Sequence, residues 1–300
     1  MTLKTNRDKL IVQSVLGAIA EPPMNPFSPY RISADGEPMV LPGTGGITYN
    51  ARVGDSAIDI WADHVEPAVT IKHMDTDRGG VNNGGLQIMS CIGNVAKVVS
   101  GDAKDELGRV TGKHGGVFHV MIDFTAEQMD KMAIGDKIQI KSTGQGLALL
   151  DFPKIKLRNL DPNLFEAMDI TGDTKKGSIR IPVTHLIPAA VMGSGLGANH
   201  TFGGDYDTQM FDPETVAKYS LDTLRFGDIV AIIDADHSYG RIYRQKAVSV
   251  GVVVHSRSVV SGHGPGVTTL FTSTEGLIEL VVNADANLKD LFVKMGSING

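Results

Sequence analysis

Imidazoles and carboxylates crowd one stretch of this chain. Four of its nine histidines, His64, His73, His114 and His119, fall between Trp61 and Phe124. They sit in the strings Asp63-His64-Val65-Glu66-Pro67, His73-Met74-Asp75-Thr76-Asp77-Arg78-Gly79-Gly80 and Thr111-Gly112-Lys113-His114-Gly115-Gly116. A hydrophobic core has no use for such groups, and a solvated face would favour Lys and Glu, so the concentration points to a polar site on loops and strand ends. If residues 71–77 are extended, His73, Asp75 and Asp77 alternate onto one face. One imidazole and two carboxylates, with His64 nearby, suit a divalent Zn, Mn or Fe ion. The same alternation pairs His64 with Glu66. The competing reading of Asp75–Gly80 is turn chemistry, in which Asp side chains bond backbone amides.

Gly112, Gly115 and Gly116 would let a backbone approach a ligand, making Lys113 and His114 candidates for acid–base work or anion binding. The alternative there is a wide hairpin with a basic tip. The segment misses a phosphate-binding loop by one residue, with His where Ser or Thr should hold magnesium. His119 and Asp123 lie in an apolar strand pattern, where a structural role competes with a functional one. In the second half, Asp205 and Asp207 alternate after the Gly-rich stretch 193–204, which reads as a loop closing over a cleft or as a plain long loop. His263 lies in a polar turn, Ser261-Gly-His263-Gly-Pro265-Gly266. No G-x-S-x-G elbow occurs, and Cys91 precedes an apolar run and reads as a small buried hydrophobe.

The elements that must position these groups are short. Gly is abundant at 35 residues, and aromatic residues make up only 6%. Between the glycines lie β-branched runs at 10–15, 95–99, 117–123, 137–141, 229–233, 248–255 and 277–282, which read as strands. Helix signals are few: a Thr125 cap, Asp161-Pro162 and Asp212-Pro213 at helix starts, and a closing helix near 287–295. The strings Arg52-Val53-Gly54-Asp55, Ala133-Ile134-Gly135-Asp136 and Arg225-Phe226-Gly227-Asp228 repeat one pattern, a tight turn delivering the chain into a strand. The fold class expected is therefore mostly β, with antiparallel small-barrel or sandwich units and a few short helices. An N-terminal β domain over 1–150 would carry the His/Asp cluster. An irregular connection would span 151–185, and a C-terminal β domain 186–300.

Hydrophobic residues at 42% and charged residues at 21% allow a sizeable core. The net charge of −6 disfavours a large nucleic-acid surface. A single Cys excludes an internal disulfide and fits a reducing cytoplasm. No run approaches the length of a membrane span, and the charged N-terminus lacks a secretory cleavage pattern.

Several longer strings carry a resemblance: Leu-Pro-Gly-Thr-Gly-Gly (41–46), Asp63-His64-Val65-Glu66-Pro67, Cys91-Ile-Gly-Asn94, Ser100-Gly-Asp-Ala-Lys104, Thr111-Gly-Lys-His-Gly-Gly116, Met192-Gly-Ser-Gly-Leu-Gly197 and Gly262-His-Gly-Pro-Gly-Val267. Together they resemble the bacterial family catalogued as domain of unknown function 4438, over nearly the whole chain. The resemblance implies a two-part, mostly β protein and carries over no activity. Lys104-Asp105 departs from the Lys-Gly continuation that the family pattern leads one to expect. Asp63–Pro67 is loosely similar to the His/Asp entry region of metal-dependent acetamidases and formamidases. Residues 99–110 look like the KOW motif of ribosomal and transcription proteins.

The reading favoured by these features is a metal-dependent hydrolase acting on a carbon–nitrogen bond, amide or cyclic amide, of a small polar molecule. His64, His73, Asp75 and Asp77 would hold a divalent Zn, Mn or Fe ion. Glu66 would act as general base, with Lys113 and His114 steadying the oxyanion. Asp63, Asp205, Asp207 and His263 would meet the substrate. The alternative is a non-catalytic binding or assembly protein, RNA-associated through Lys97, Lys104, Arg109 and Lys113. The expected setting is a cytoplasmic homo-oligomer without membrane contact.

Overall fold

The structure is a computed structural model describing residues 3–74, 80–195 and 200–296. It is mostly β, in two parts, with five short α-helices among the described residues. The first part is a barrel of six strands: Gln13–Ile19 (β1), Ala68–Lys72 (β2), Val95–Val98 (β3), Leu107–His114 (β4), His119–Asp123 (β5) and Lys137–Ser142 (β6). Their order is β1-β6-β3-β4-β5-β2, every pairing is antiparallel, and β2 returns to β1 through Ala18↔Lys72 and Ile19↔Ile71. Closure leaves the barrel without free edges along these pairings.

The second part is an open sheet: His185–Pro188 (β7), Met192–Gly195 (β8), Tyr206–Thr208 (β9), Ile229–Asp236 (β10), Ile242–His255 (β11) and Gly266–Ser273 (β12). Its order is β7-β10-β11-β12-β9-β8. The β7–β10 pairing is parallel and the rest are antiparallel. A small sheet of Thr171–Asp173, Ser178–Val183 and Ile278–Val282 ties the connection to the chain's end through one parallel pair.

The repeated Gly-Asp strings form three matching turns. Gly54, Gly135 and Gly227 take φ of +96°, +89° and +83°, in the left-handed region that suits glycine. Asp55, Asp136 and Asp228 each accept from the amide three residues earlier, at 2.8, 2.9 and 2.9 Å. The helix signals also hold. Thr125 closes a capping box with Gln128, while Asp161, Asp212 and Asn287 cap the helices Pro162–Ala167, Pro213–Tyr219 and Leu288–Lys294. Two expectations shift. The first strand starts at Gln13 and not at Leu10, because Leu10 to Val12 carry no strand pairing. The helix Val81–Met89 contains Gly84 and Gly85, poor helix formers, and is kept by burying Leu86.

One hydrophobic cluster runs through both parts. It includes Ile71, Met121, Ile138 and Ile140 of the barrel and Val250, Val252, Leu270 and Phe271 of the open sheet. A second cluster packs Ala57, Ile58, Ala62 and Val65 against Phe226, Val230, Ile232 and Val253. The segment preceding β2 is thus fixed to the open sheet by apolar burial, and it carries His64.

Behind β9 lies a buried imidazole with a consequence for stability. His237 donates or accepts at Thr269 Oγ1 (2.8 Å) and its ring centroid is 4.6 Å from that of Tyr206. Burial pushes its pKa down to about 3. Between the unfolded value of 6.5 and about 3, the unfolded chain binds a proton that the native protein refuses. Native stability should therefore fall as pH drops below 6.5, by up to about 1.4 kcal/mol per unit from this group. Urea unfolding of the parent and of His237→Gln checks this: the parent should lose about 2 kcal/mol more than the variant between pH 6.5 and 5. Equal losses would contradict it.

Candidate metal centre

Four segments meet where the barrel touches the open sheet. Two come from the first part: the stretch before β2, with Asp63, His64 and Glu66, and the β4–β5 hairpin, where His114 pairs across from His119. Two come from the second: β9 with the preceding Asp205, and the end of β11 with the loop that leads into β12. Hydrogen bonds stitch the parts together. His64 N–H donates to Arg257 O, Ser256 N–H to Val65 O, and Val65 N–H to Ser256 Oγ, at 3.2, 2.9 and 2.8 Å. Thr268 Oγ1 on β12 donates to Lys113 O on β4 (3.2 Å).

The junction gathers two sets of metal-ligating atoms. His64, Asp207 and His263 form one, and His114, Asp205 and His255 the other, with the ligand atoms of each set within 4.8 Å of one another. All but His263 are buried. The rings adjoin: His114 and His255 centroids are 4.4 Å apart, His64 and His255 5.1 Å, and His64 and His263 5.0 Å. His64 holds φ of +53°, a conformation that a non-glycine residue adopts only when its surroundings insist.

The nitrogens turned away from the junction are all engaged. His64 Nδ1 bonds Asp63 Oδ2 at 2.9 Å, and His114 Nδ1 bonds Glu66 Oε1 at 2.6 Å. His255 Nδ1 donates to Ser256 O at 3.0 Å. Each of these imidazoles therefore aims Nε2 inward, as metal-ligating histidines do when an outer carboxylate or carbonyl fixes the tautomer. The outer carboxylates are held in turn. Asp63 Oδ1 accepts from Ser258 Oγ and Val259 N–H, at 2.7 and 3.1 Å, and Arg31 Nε lies 3.3 Å from Oδ2. Glu66 Oε2 accepts from Gly45 N–H and Thr70 Oγ1, at 2.7 and 2.8 Å, and His119 Nδ1 lies 3.0 Å away.

In the first set His64 Nε2 lies 3.2 Å from His263 Nδ1, whereas two inward atoms of the second set lack a partner. His255 Nε2 lies 2.6 Å from Asp205 Oδ2, yet neither atom has an aligned hydrogen-bond partner among the described residues. Two buried lone-pair donors this close, both unsatisfied, are what a shared cation would resolve. Gly266 makes the approach feasible: it faces Asp207 across one pairing and His255 across the other. A Cβ there would lie 2.0 Å from Asp205 Oδ2 and 2.3 Å from His255 Nε2.

Electrostatics agree with the geometry. Burial disfavours the His255 imidazolium, but Asp205 and Asp207 outweigh it and raise the pKa well above the ordinary value. Burial pushes the Asp207 carboxyl up, and bonds from His255 and His263 more than reverse this. Glu66 is treated likewise: burial raises it, and His119 and His114 bring it well below the usual range. The pocket demands positive charge.

Several sequence expectations land elsewhere. β2 stops at Lys72, so 71–77 is not one extended strand, and Asp75 and Asp77 lie outside the described residues. His73 borders a separate cleft of about 570 Å³, together with Lys72, Asn83 and His119, and joins neither set. Glu66 sits fully buried behind His114 with both oxygens engaged, so it orients an imidazole and does not face a substrate. Lys113 also points away. Its Nζ donates to Asn159 Oδ1, Phe202 O and Ile88 O at 2.8, 2.9 and 3.1 Å, and burial lowers its pKa to about 8. Asp63 stands behind His64, while Asp205, Asp207 and His263, expected as substrate contacts, supply metal-ligating atoms. The Gly-rich loop is no free lid in its second half: Thr201, Gly203, Gly204 and Asp205 are buried, and Thr201 O accepts from Asn159 Nδ2. Cys91 is buried, and burial raises its thiol to about 12. His255 was missed. It follows the apolar run Val252-Val253-Val254 at the end of its strand, and a polar residue there gives no spacing to read.

Because Glu66 fixes His114 from outside the cluster, Glu66→Gln should weaken divalent-ion affinity by roughly 10–100-fold with little change in fold. Competition with a calibrated chelator measures this, and unchanged affinity would remove Glu66 from the centre.

Comparison with known proteins matches this architecture. No curated protein matches the sequence. Among solved structures, the crystal structure of TM1086 shares 46% identity, with a TM-score of 0.90, and the match covers 97% of this chain and 99% of that one. The family model described as domain of unknown function (DUF4438), N-terminal, matches residues 30–166, and its C-terminal counterpart matches 167–292. Among the described residues, no helix is long and apolar enough to cross a membrane. The chain belongs to the DUF4438 family, and the two matched parts meet at the His/Asp cluster.

Proposed function

We propose that this protein is a metal-dependent hydrolase cleaving a carbon–nitrogen bond, amide or cyclic amide, of a small polar molecule. The observation that carries the reading is the pair of imidazole–carboxylate sets, with Asp205 Oδ2 and His255 Nε2 unsatisfied and outer carboxylates fixing the His64 and His114 imidazoles. Mixed nitrogen and oxygen ligands suit Zn, Mn or Fe better than Ca or Mg. Such an ion polarises a carbonyl and makes a water molecule acidic enough to attack near neutral pH. The chain's own residues orient and admit. His263, one-third exposed, marks where solvent reaches the cluster. Arg31, half-exposed against Asp63, offers a cation to a polar substrate arriving there. The carbon–nitrogen bond is favoured by the likeness of Asp63–Pro67 to the amidase entry region.

Each set is also two His and one Asp, the ligand pattern of non-haem Fe(II) oxygenases. The RNA-associated alternative is weakened by the fate of its basic residues: Lys113 is buried, Lys97 pairs with Asp105 at 2.7 Å, and Arg109 donates to Gly93 O. The test is elemental analysis of purified protein, followed by assays on amides and cyclic amides with Zn, Mn or Fe restored after chelation. Bound metal with metal-dependent turnover supports the proposal. Iron with oxygen consumption turns it to the oxygenase reading, and protein that binds none of these ions overturns it.

A further inference from the structure

We infer that the two sets form a single two-metal centre in which the Asp207 carboxylate bridges the ions. The inference rests on the metal reading above and adds its stoichiometry. Asp207 Oδ2 lies 2.7 Å from His263 Nδ1 and 4.0 Å from His64 Nε2, in the first set. Its other oxygen, Oδ1, lies 3.4 Å from His255 Nε2, in the second. One carboxylate thus presents one oxygen to each set. Asp205, two residues earlier, reaches the second set alone, and its Oδ1 is occupied by Gly115 N–H at 2.8 Å.

One ion does not account for all six side chains. Ligand atoms around one Zn lie about 2.0–2.2 Å from it, hence within roughly 4.4 Å of one another. Here the six divide into two groups, each with its ligand atoms within 4.8 Å of one another, and are not gathered into one. Charge gives the same count. Asp63, Glu66, Asp205 and Asp207 are four buried carboxylates converging on the junction. Neutral imidazole ligands leave these four negative charges for two divalent ions to balance. A single ion would leave two, with Arg31 reaching only Asp63 from the solvent side. Buried charge of that size is costly unless compensated. In two-metal hydrolases ions roughly 3.5–4 Å apart clamp the attacking and leaving atoms together, and the His64 and His255 rings, one from each set, lie 5.1 Å apart at their centroids.

The experiment uses the full chain, stripped by chelation and titrated with Mn(II) alone. Two tightly bound Mn(II) per chain, with the magnetic-resonance signature of an exchange-coupled pair, is the expected result. Asp207→Asn keeps the side chain's shape but removes its charge and one metal-ligating oxygen. It should bind a single Mn(II) with an uncoupled spectrum. Asp205→Asn should also retain one uncoupled ion, in the set of His64, His263 and Asp207, and serves where the first variant does not fold. One Mn(II) per parent chain, two uncoupled ions, or a coupled pair surviving in Asp207→Asn would each overturn the bridge. Failure to hydrolyse amides leaves these readouts unchanged, so the reaction and the stoichiometry are judged separately.

Discussion

His255→Ala is expected to release the ion held with His114 and Asp205, lowering affinity by more than the roughly 10–100-fold that loss of an outer partner costs. His255 is fully buried, and its Nε2 lies 2.6 Å from Asp205 Oδ2 and 3.4 Å from Asp207 Oδ1. Truncation would remove a ligand of the proposed centre and leave two buried carboxylates facing a void. Such a variant should also unfold more readily, since removing one partner from a buried charge pair typically costs about 3–5 kcal/mol. His255→Gln keeps most of the volume and separates the two effects, losing metal with a smaller change in melting temperature. Isothermal titration with Zn(II) or Mn(II), alongside thermal unfolding, measures both. If either variant binds as tightly as the parent, His255 is not a ligand.

Gly266→Ala should empty the same site with a single methyl group. The residue is paired with Asp207 on one side and His255 on the other. A Cβ there would overlap Asp205 Oδ2 and His255 Nε2, at 2.0 and 2.3 Å. Neither side chain is a flexible surface group, so both must leave the position in which they converge. The expected result is loss of metal at the second set, His114, Asp205 and His255, and about 1–3 kcal/mol of destabilisation, the usual cost of overpacking. A control variant at an open glycine, Gly85→Ala in the helix Val81–Met89, should leave metal retention intact, because nothing lies within 4 Å of a Cβ there. Metal content after gel filtration, compared between the two variants, decides the matter. Full retention in Gly266→Ala would falsify the close approach.

The turns and strands were largely legible because their causes are local. Gly-Asp at 54–55, 135–136 and 227–228 specifies a positive φ followed by a side chain that bonds its own backbone, and no distant contact is needed. Asp and Asn caps before Pro162, Pro213 and Leu288 work the same way. The helix at 81–89 was invisible because its glycines argue against it, and tertiary burial of Asn83, Leu86 and Gln87 keeps it. His73, Asp75 and Asp77 looked like a ligand set through strand spacing; the strand ends at Lys72, and Asp75 and Asp77 lie outside the described residues.

By itself, then, the sequence determined a mostly β, two-part chain and marked which polar residue types exceed what a core or a solvated face requires. It located His64, His114, Asp205, Asp207 and His263 as chemically suggestive, each within its own short string. Only the tertiary structure decided which of them face one another. His64 and His263 are separated by 199 positions yet lie 3.2 Å apart at their ring nitrogens, and His255 joins them from the end of an apolar strand. The same packing turned Glu66 and Lys113, within two residues of His64 and His114 in sequence, away from the cluster. The physical reason is that coordination depends on distances of a few ångströms between side chains on different strands. Those distances are set by barrel closure, cross-strand register and the apolar burial that fixes one part on the other, none of which has a local signature.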